Sequence, residues 1–215
     1  MKSPENIPGV EFGPMAAGEH AAVRDLIADT FSRYEPMAVA AGQTYTEFQA
    51  LVGLLAAETT AQDLTIRARL TATGEIVGVM LTTDFTTPMP DGMDELSPGF
   101  APIGGLLAQL ENWYQEAKSP QPGECLDFAM LAVARAHGGK GIAQNLVRAC
   151  LDNGAAQGFR SAVTEATNRT SQRVFQKLGF NELFSVSYKD YTFNGDRVFA
   201  SIEPDDRTAL MERLL

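Results

Sequence analysis

Apolar residues recur along this 215-residue chain at two spacings, one of three to four and one of two, and their succession predicts a mixed α/β domain. "VEFGPM" opens as a short strand. From Ala17 to Tyr34, the residues Val23, Leu26, Ile27, Phe31 and Tyr34 fall on one helical face, and the pattern stops near "YEP". Thr44 to Ala61 repeats that spacing with Phe48, Leu51, Val52, Leu54 and Leu55. "LTIRARLTATGEIVGVMLTTDF" then alternates on both sides of "ATGE", which predicts a hairpin turned by Gly74.

Residues 86 to 124 break the rhythm with Pro- and Gly-rich stretches around one helical segment, "IGGLLAQLENWYQEA". That span is too short for a core of its own, so it reads as an insertion within a single domain over residues 1–215. "CLDFAMLAVA" is a nearly continuous apolar run, as in a strand covered on both faces. A helix follows over "GIAQNLVRACLDNGAAQ", with Ile142, Leu146, Val147, Cys150 and Leu151 on one side. "FRSAVTEAT" predicts a strand and "NRTSQRVFQKLG" a helix stopped by Gly179. "ELFSVSYKDYTF" and "RVFASI" predict a final strand pair around "NGD", and "DDRTALMERLL" a short helix with Asp205 or Asp206 near its start.

Composition narrows the function. A formal charge of −10 argues against nucleic acid or an anionic membrane as partner, because either would repel this surface. No apolar run approaches the ~18 residues of a membrane span, and "MKSPENIPGVEFG" lacks a signal-peptide core, so a cytoplasmic protein is expected. Cys125 and Cys150 are too few for a disulfide framework and read as packed thiols. No metal is expected, since His20 and His137 are the only histidines and no ligand-type pair exists. A G-x-S-x-G nucleophile elbow is also absent.

"LAVARAHGGKGIAQNLV" holds the most informative chemistry. Strand, glycine turn and helix start place backbone N–H groups where a helix N-terminus attracts anions, with Arg135, His137 and Lys140 adding positive charge. On local features a phosphate site and a plain connector are equally good readings. A P-loop fails because Gly141 follows the lysine, and a dinucleotide fingerprint fails because Gln144 stands where glycine or alanine is needed.

"GGKGIA", residues 138–143, resembles the acetyl-CoA loop of the GCN5-related N-acetyltransferases at every position but the first, where Gly138 replaces the usual Gln or Arg. "NRTSQRVFQKLGF" resembles a later motif of that family, an Asn leading a helix that ends in a Lys-Leu-Gly-Phe stop. "YEPMAVAAG" and "VSYKDYTFNGDRVF" are similar to segments of its arylalkylamine N-acetyltransferase-like branch, which includes insect dopamine acetyltransferases. The resemblance implies a twisted mixed sheet of six or seven strands, helices on both faces, and central strands that splay to admit acetyl-pantetheine.

It also implies a site. Leu131, Ala132 and Val133 would face pantetheine, and Gly138, Gly139, Lys140, Gly141, Ile142 and Ala143 would hold the pyrophosphate. Asn168 and Ser171 would line the thiol end. Glu35 would be the general base for an attacking amine, assisted by the hydroxyls of Thr167 and Ser171, with an oxyanion donor near Leu131 or Ala132. Many relatives carry a Tyr seven residues after the motif Asn, but Phe175 stands there, leaving Ser171, Tyr188 or Tyr191 as substitutes. The expected activity is acetyl-CoA-dependent N-acetylation of a small primary amine, with an arylalkylamine walled by Phe100, Trp113 and Tyr114 as the first candidate, in a monomer or homodimer. Alternatives are polyamine, aminoglycoside or peptide amines, or an acyl-CoA sensor without turnover.

Overall fold

In the computed structural model, residues 7–90, 92, 96–203 and 206–215 are described. Seven strands form one sheet in the order β1-β2-β3-β4-β5-β7-β6. They are β1 (Val10–Pro14), β2 (Ile66–Leu70), β3 (Ile76–Asp84), β4 (Cys125–Val133), β5 (Ser161–Ala166), β6 (Asn181–Ser187) and β7 (Arg207–Leu214). Neighbours run antiparallel except β4 and β5, which are parallel and therefore need a long crossover. Helix α5 (Ile142–Gln157) supplies it. The others are α1 (His20–Tyr34), α2 (Pro36–Ala40), α3 (Tyr45–Ala61), α4 (Phe100–Lys118) and α6 (Arg169–Lys177).

One face of the sheet is covered by α5 and α6, where Ile142, Leu146, Cys150 and Phe175 pack with Ala68, Val77, Leu126 and Phe128. The opposite face carries two separate clusters. Val23 and Ile27 of α1 and Val52 of α3 pack on Val79 and Leu81, whereas Leu106, Leu110 and Tyr114 of α4 pack on Cys125, Val163 and Leu210. The gap between them becomes important below.

A bulge in β4 positions that gap. Leu81 of β3 pairs with Met130 and Thr82 with Phe128, so Ala129 has no partner opposite. Before the bulge Leu126 and Phe128 point to the α5 side; beyond it Leu131 and Val133 do, so the alternation has shifted by one. β4 pairs with β5 only from Cys125↔Ser161 to Asp127↔Val163. Past that point the two strands separate, which is the splay expected from the resemblance.

Two expectations need correction. The C-terminal segment is a strand, β7, with Thr208 to Met211 buried between β5 and β6, so pairing on both edges overrides its weak helical pattern. Asp205 lies outside the described residues. The expected pairing of 182–193 with 197–202 is replaced by β6 with β7, and only the bridge Phe193↔Asp196 joins the two arms. The arms instead insert Tyr188, Tyr191 and Phe199 under α4, because aromatic burial is worth more there than a two-stranded ladder at the edge. The 86–124 segment contributes α4, which builds the core of its half of the sheet. Finally, α2 follows "YEP" directly; Pro36 at its first position fits the fixed φ of proline.

Helix α5 sits very close to the sheet at Gly154, where a Cβ would meet Leu126 Cδ1 at 2.3 Å. Gly154→Ala is therefore expected to destabilise the fold by roughly 1–2 kcal/mol through overpacking, despite the helix preference for alanine. Gly53→Ala in α3, where nothing lies within 4 Å of the new methyl, should stabilise it by about 0.5–1 kcal/mol. Urea midpoints of the two variants check the opposite signs.

Candidate active site

Two cavities meet where β4 and β5 part. The smaller, about 310 Å³, lies in the splay and is lined by Phe128 and Leu131 of β4, by Ala166 of β5, and by Asn168, Ser171 and Phe175. The larger, about 640 Å³, fills the gap between the α1/α3 and α4 clusters, with Phe48, Leu51 and Phe100 on its apolar wall. Phe31, Glu35, Ala129, Glu165 and Thr167 border both. A reactant in one cavity would reach a reactant in the other only at this junction.

Glu35 is held there by backbone. It ends α1, with its N–H bonded to Phe31 O at 3.0 Å, and caps α2, with Oε2 accepting the Ala38 N–H at 2.6 Å. Its residue is 8% exposed and its Oε1 is buried without a hydrogen-bond partner. Burial raises its pKa above the ordinary value, and the Ala38 N–H, the Thr167 hydroxyl and the Met37 N–H oppose that shift less strongly. Thr167, one residue past β5, is fixed in turn by Tyr188, whose hydroxyl donates to its carbonyl at 2.6 Å.

On the cofactor side, Gly139 (φ +74°) and Gly141 (φ +83°) occupy the left-handed region that glycine tolerates. Gly141 caps α5 without a side chain, and the first bond of the helix runs from Asn145 N to Gly141 O at 3.1 Å, so the amides of Ile142 and Ala143 precede any intrahelical partner. Gly138 is extended (φ −61°), a conformation that does not require glycine. Lys140 Nζ reaches Ala136 O at 3.2 Å, and Arg135 lies over the Tyr34 ring at 5.1 Å. Residues 138–143 line neither cavity, which places the loop outside the splay.

Of the three β4 residues expected at pantetheine, only Leu131 lines the smaller cavity; Ala132 packs beneath α1 and Val133 toward α5. Asn168 and Ser171 cap α6 reciprocally: Ser171 N donates to Asn168 Oδ1 at 2.9 Å and Asn168 N to Ser171 Oγ at 3.4 Å, while Ser171 Oγ donates to Asn168 O at 2.9 Å. Helix initiation thus explains this motif as well as ligand contact does. The hydroxyls of Tyr188 and Tyr191 are engaged with Thr167 O and with Pro102 O at 2.9 Å, and neither residue lines a cavity. Of the aromatics expected to wall the site, Phe100 does so, whereas Trp113 stacks on Phe184 and Tyr114 is buried in the α4 core.

Sequence reasoning missed a group of acids. Asp127 of β4, Glu165 of β5 and Glu111 of α4 all line the larger cavity, and Asp127 Oδ1 and Glu165 Oε1 are buried without partners. Desolvation first, and then the charge of Glu111, raise the pKa of Asp127 to about 7. Burial, then Asp127 and Glu111, raise that of Glu165 well above the ordinary value. The signal lay in "CLDFAM" and "SAVTEA", where single acids interrupt strands otherwise fit for burial.

Among the described residues, no group of three or more His, Cys, Asp or Glu could hold a metal ion, and no helix is long and apolar enough to cross a membrane. A model of the acetyltransferase (GNAT) family matches residues 72–180. The fold is similar to that of the C-terminal condensation domain of Ebony, solved in complex with beta-alanyl-dopamine (TM-score 0.87, 17% identity, 96% of this chain and 99% of that one). It is also similar to arylalkylamine N-acetyltransferase 2 from Aedes aegypti (TM-score 0.79, 23% identity, 95% and 98%). A polyamine N-acetyltransferase from Drosophila melanogaster matches with TM-score 0.74 and 18% identity over 96% and 100%.

The Asp127 shift has a sign that can be measured. Its pKa is higher in the folded chain than in the unfolded one, so its contribution to stability is intact below about pH 4 and is lost as pH rises through about 7. Asp127→Asn is accordingly expected to raise the thermal midpoint above pH 7 and to change it little near pH 4.

Proposed function

Because the chain belongs to the acetyltransferase (GNAT) family, we propose that it transfers the acetyl group of acetyl-CoA to the primary amine of a small molecule, with Glu35 as general base. The observation that carries this reading is the free, buried Oε1 of Glu35 at the junction of the two cavities.

The residues present fit acetyl-CoA. The splay past Asp127↔Val163 opens a slot between strands, and the unpartnered amides at the start of α5 suit a pyrophosphate at its mouth. When bound, the cosubstrate supplies an acyl thioester, whose C–S bond breaks as the N–C bond forms. The chain's own groups do the rest. Ionised Glu35 takes the proton that an ammonium must lose before it can attack, and its raised pKa makes it a stronger base than an exposed carboxylate. Thr167 orients that carboxyl. The backbone of β4 around Ala129 to Leu131, freed of β5, is the candidate donor to the developing oxyanion, which moves the site away from buried Ala132.

Phe175 packs against Phe128 and Phe180, so that position offers no proton. A thiolate leaving group needs none near neutral pH, its pKa lying within about two units of ambient by analogy with cysteine. Ser171 lines the smaller cavity, with its proton given to Asn168 O. The apolar wall of Phe31, Phe48, Leu51 and Phe100 would take the carbon skeleton of the amine, aliphatic or aromatic.

Glu35→Gln is expected to lower kcat/KM for the amine by tenfold or more, about 1.4 kcal/mol of transition-state stabilisation, while leaving acetyl-CoA affinity in place. In the wild type, kcat/KM should climb with pH through a group titrating above the ordinary carboxylate range, because only ionised Glu35 is a base. That limb should disappear in the variant. Free-thiol release from acetyl-CoA, followed across pH, checks both; an unchanged profile would remove Glu35 from the chemistry.

A further inference from the structure

Asp127 and Glu165 come from facing strands at the last point of contact between them. Asp127 pairs with Val163, and Glu165 lies two residues beyond Val163, so alternation puts both acids on the face that Cys125 and Val163 present to α4. There they line the larger cavity with Glu111.

Several other acids are matched. Glu11 meets Arg67 and Arg69 at 2.9 Å, Glu182 meets Arg207 at 2.6 Å, and Glu212 meets Lys118 at 3.0 Å. Even Asp84, on the cavity wall, accepts the Thr86 N–H and hydroxyl and the Gly123 N–H. Asp127 Oδ1 and Glu165 Oε1 have no such partner, and neither does Oε1 of Glu35, itself more than nine-tenths buried, at the same cavity. Among the described residues, no Lys, Arg or His lines it. Buried acids without donors are disfavoured unless a cation joins them. A metal ion does not suit, because these groups do not converge at ligand spacing. The complement is an extended organic cation.

Its length follows from the strand. Glu165 and Thr167 are two residues apart, about 6.6 Å along an extended chain, and Thr167 faces Glu35. Resting on the reading of Glu35 as base, we propose that Asp127, Glu165 and Glu111 form a second cation site, and that the acceptor is a diamine-like molecule with its two nitrogens separated by roughly four carbons. The ammonium at Glu35 gives one proton to that carboxylate, its lone pair makes the N–C bond as the thioester C–S bond breaks, and the second proton shed by that nitrogen goes to the departing thiolate, which leaves as CoA thiol. The distal nitrogen keeps its charge and is not consumed.

The test compares 1,4-diaminobutane with 1-pentylamine, which replaces one ammonium by a methyl group. Wild type should favour the diamine in kcat/KM by roughly a hundredfold, since a site built for a polar group rejects the analogue that lacks it. Asp127→Asn with Glu165→Gln should reduce that ratio by about tenfold or more, a change that mere loss of folded protein would not produce. Glu35→Gln should slow both amines and leave the ratio standing. Without acetyl-CoA, the diamine should raise the thermal midpoint of wild type and of Glu35→Gln, but not of the double variant. Equal turnover of the two amines, an unchanged ratio in the double variant, or no thermal shift from the diamine would overturn the cation site. If Glu35→Gln stays fully active while the ratio and shift behave as expected, the base assignment fails and the cation site stands. If no amine is turned over, the thermal shift alone decides the cation site.

Discussion

The pairing of β4 with β5 stops after Asp127↔Val163, and nearly every functional feature depends on that stop. The bulge at Ala129 turns β4 away and switches which of its residues face α5. A ladder broken in the middle of a sheet strands backbone polar groups, and side chains take them up. Thr164 Oγ1 donates to Phe128 O at 2.9 Å, Gln172 Nε2 to Ala166 O at 3.0 Å and to Arg207 O at 2.9 Å, and Tyr188 Oη to Thr167 O. These bonds satisfy backbone groups along the edges of the opening, so the slot is a built feature of the sheet.

The same break divides the helical layer. With β4 and β5 apart, α1 and α3 pack over β3 while α4 packs over the β5/β7 half, and the larger cavity remains between. Asp127, Glu165 and Glu111 face this space. Their raised pKa values record a conflict in the free protein, where like charges are desolvated together. The contrast with Arg67, buried between Glu11 and Glu19, is instructive: that network stabilises the β1/β2 edge, whereas the cavity acids keep the site ready for charge at some loss of stability.

Much of this was legible in the sequence because it depends on local chemistry. The helical stripes of α1, α3 and α5, the hairpin of β2 and β3, and the glycine loop before α5 each declare themselves within a short window. Glu35 became a candidate only through "YEPMAVAAG", since its burial is made by α2 and by strands remote in sequence. The C-terminal strand was hidden because a strand inserted between two others needs apolar residues on both faces, and "TALM" then reads equally well as helix. The cavity acids were hidden for the opposite reason. Asp127, Glu165 and Glu111 are ordinary residues one at a time, and only the bulge and α4 bring them to one space.

A single reaction path through the two cavities would have to pass Glu35. The most direct test is a crystal structure of the protein with a bisubstrate ligand in which CoA sulfur is joined through an acetyl bridge to 1,4-diaminobutane. The bridge is expected to pass between Ala129 and Thr167, with the acylated nitrogen at Glu35 Oε1. A ligand whose bridge lies outside the splay, or whose amide nitrogen is remote from Glu35, would contradict it.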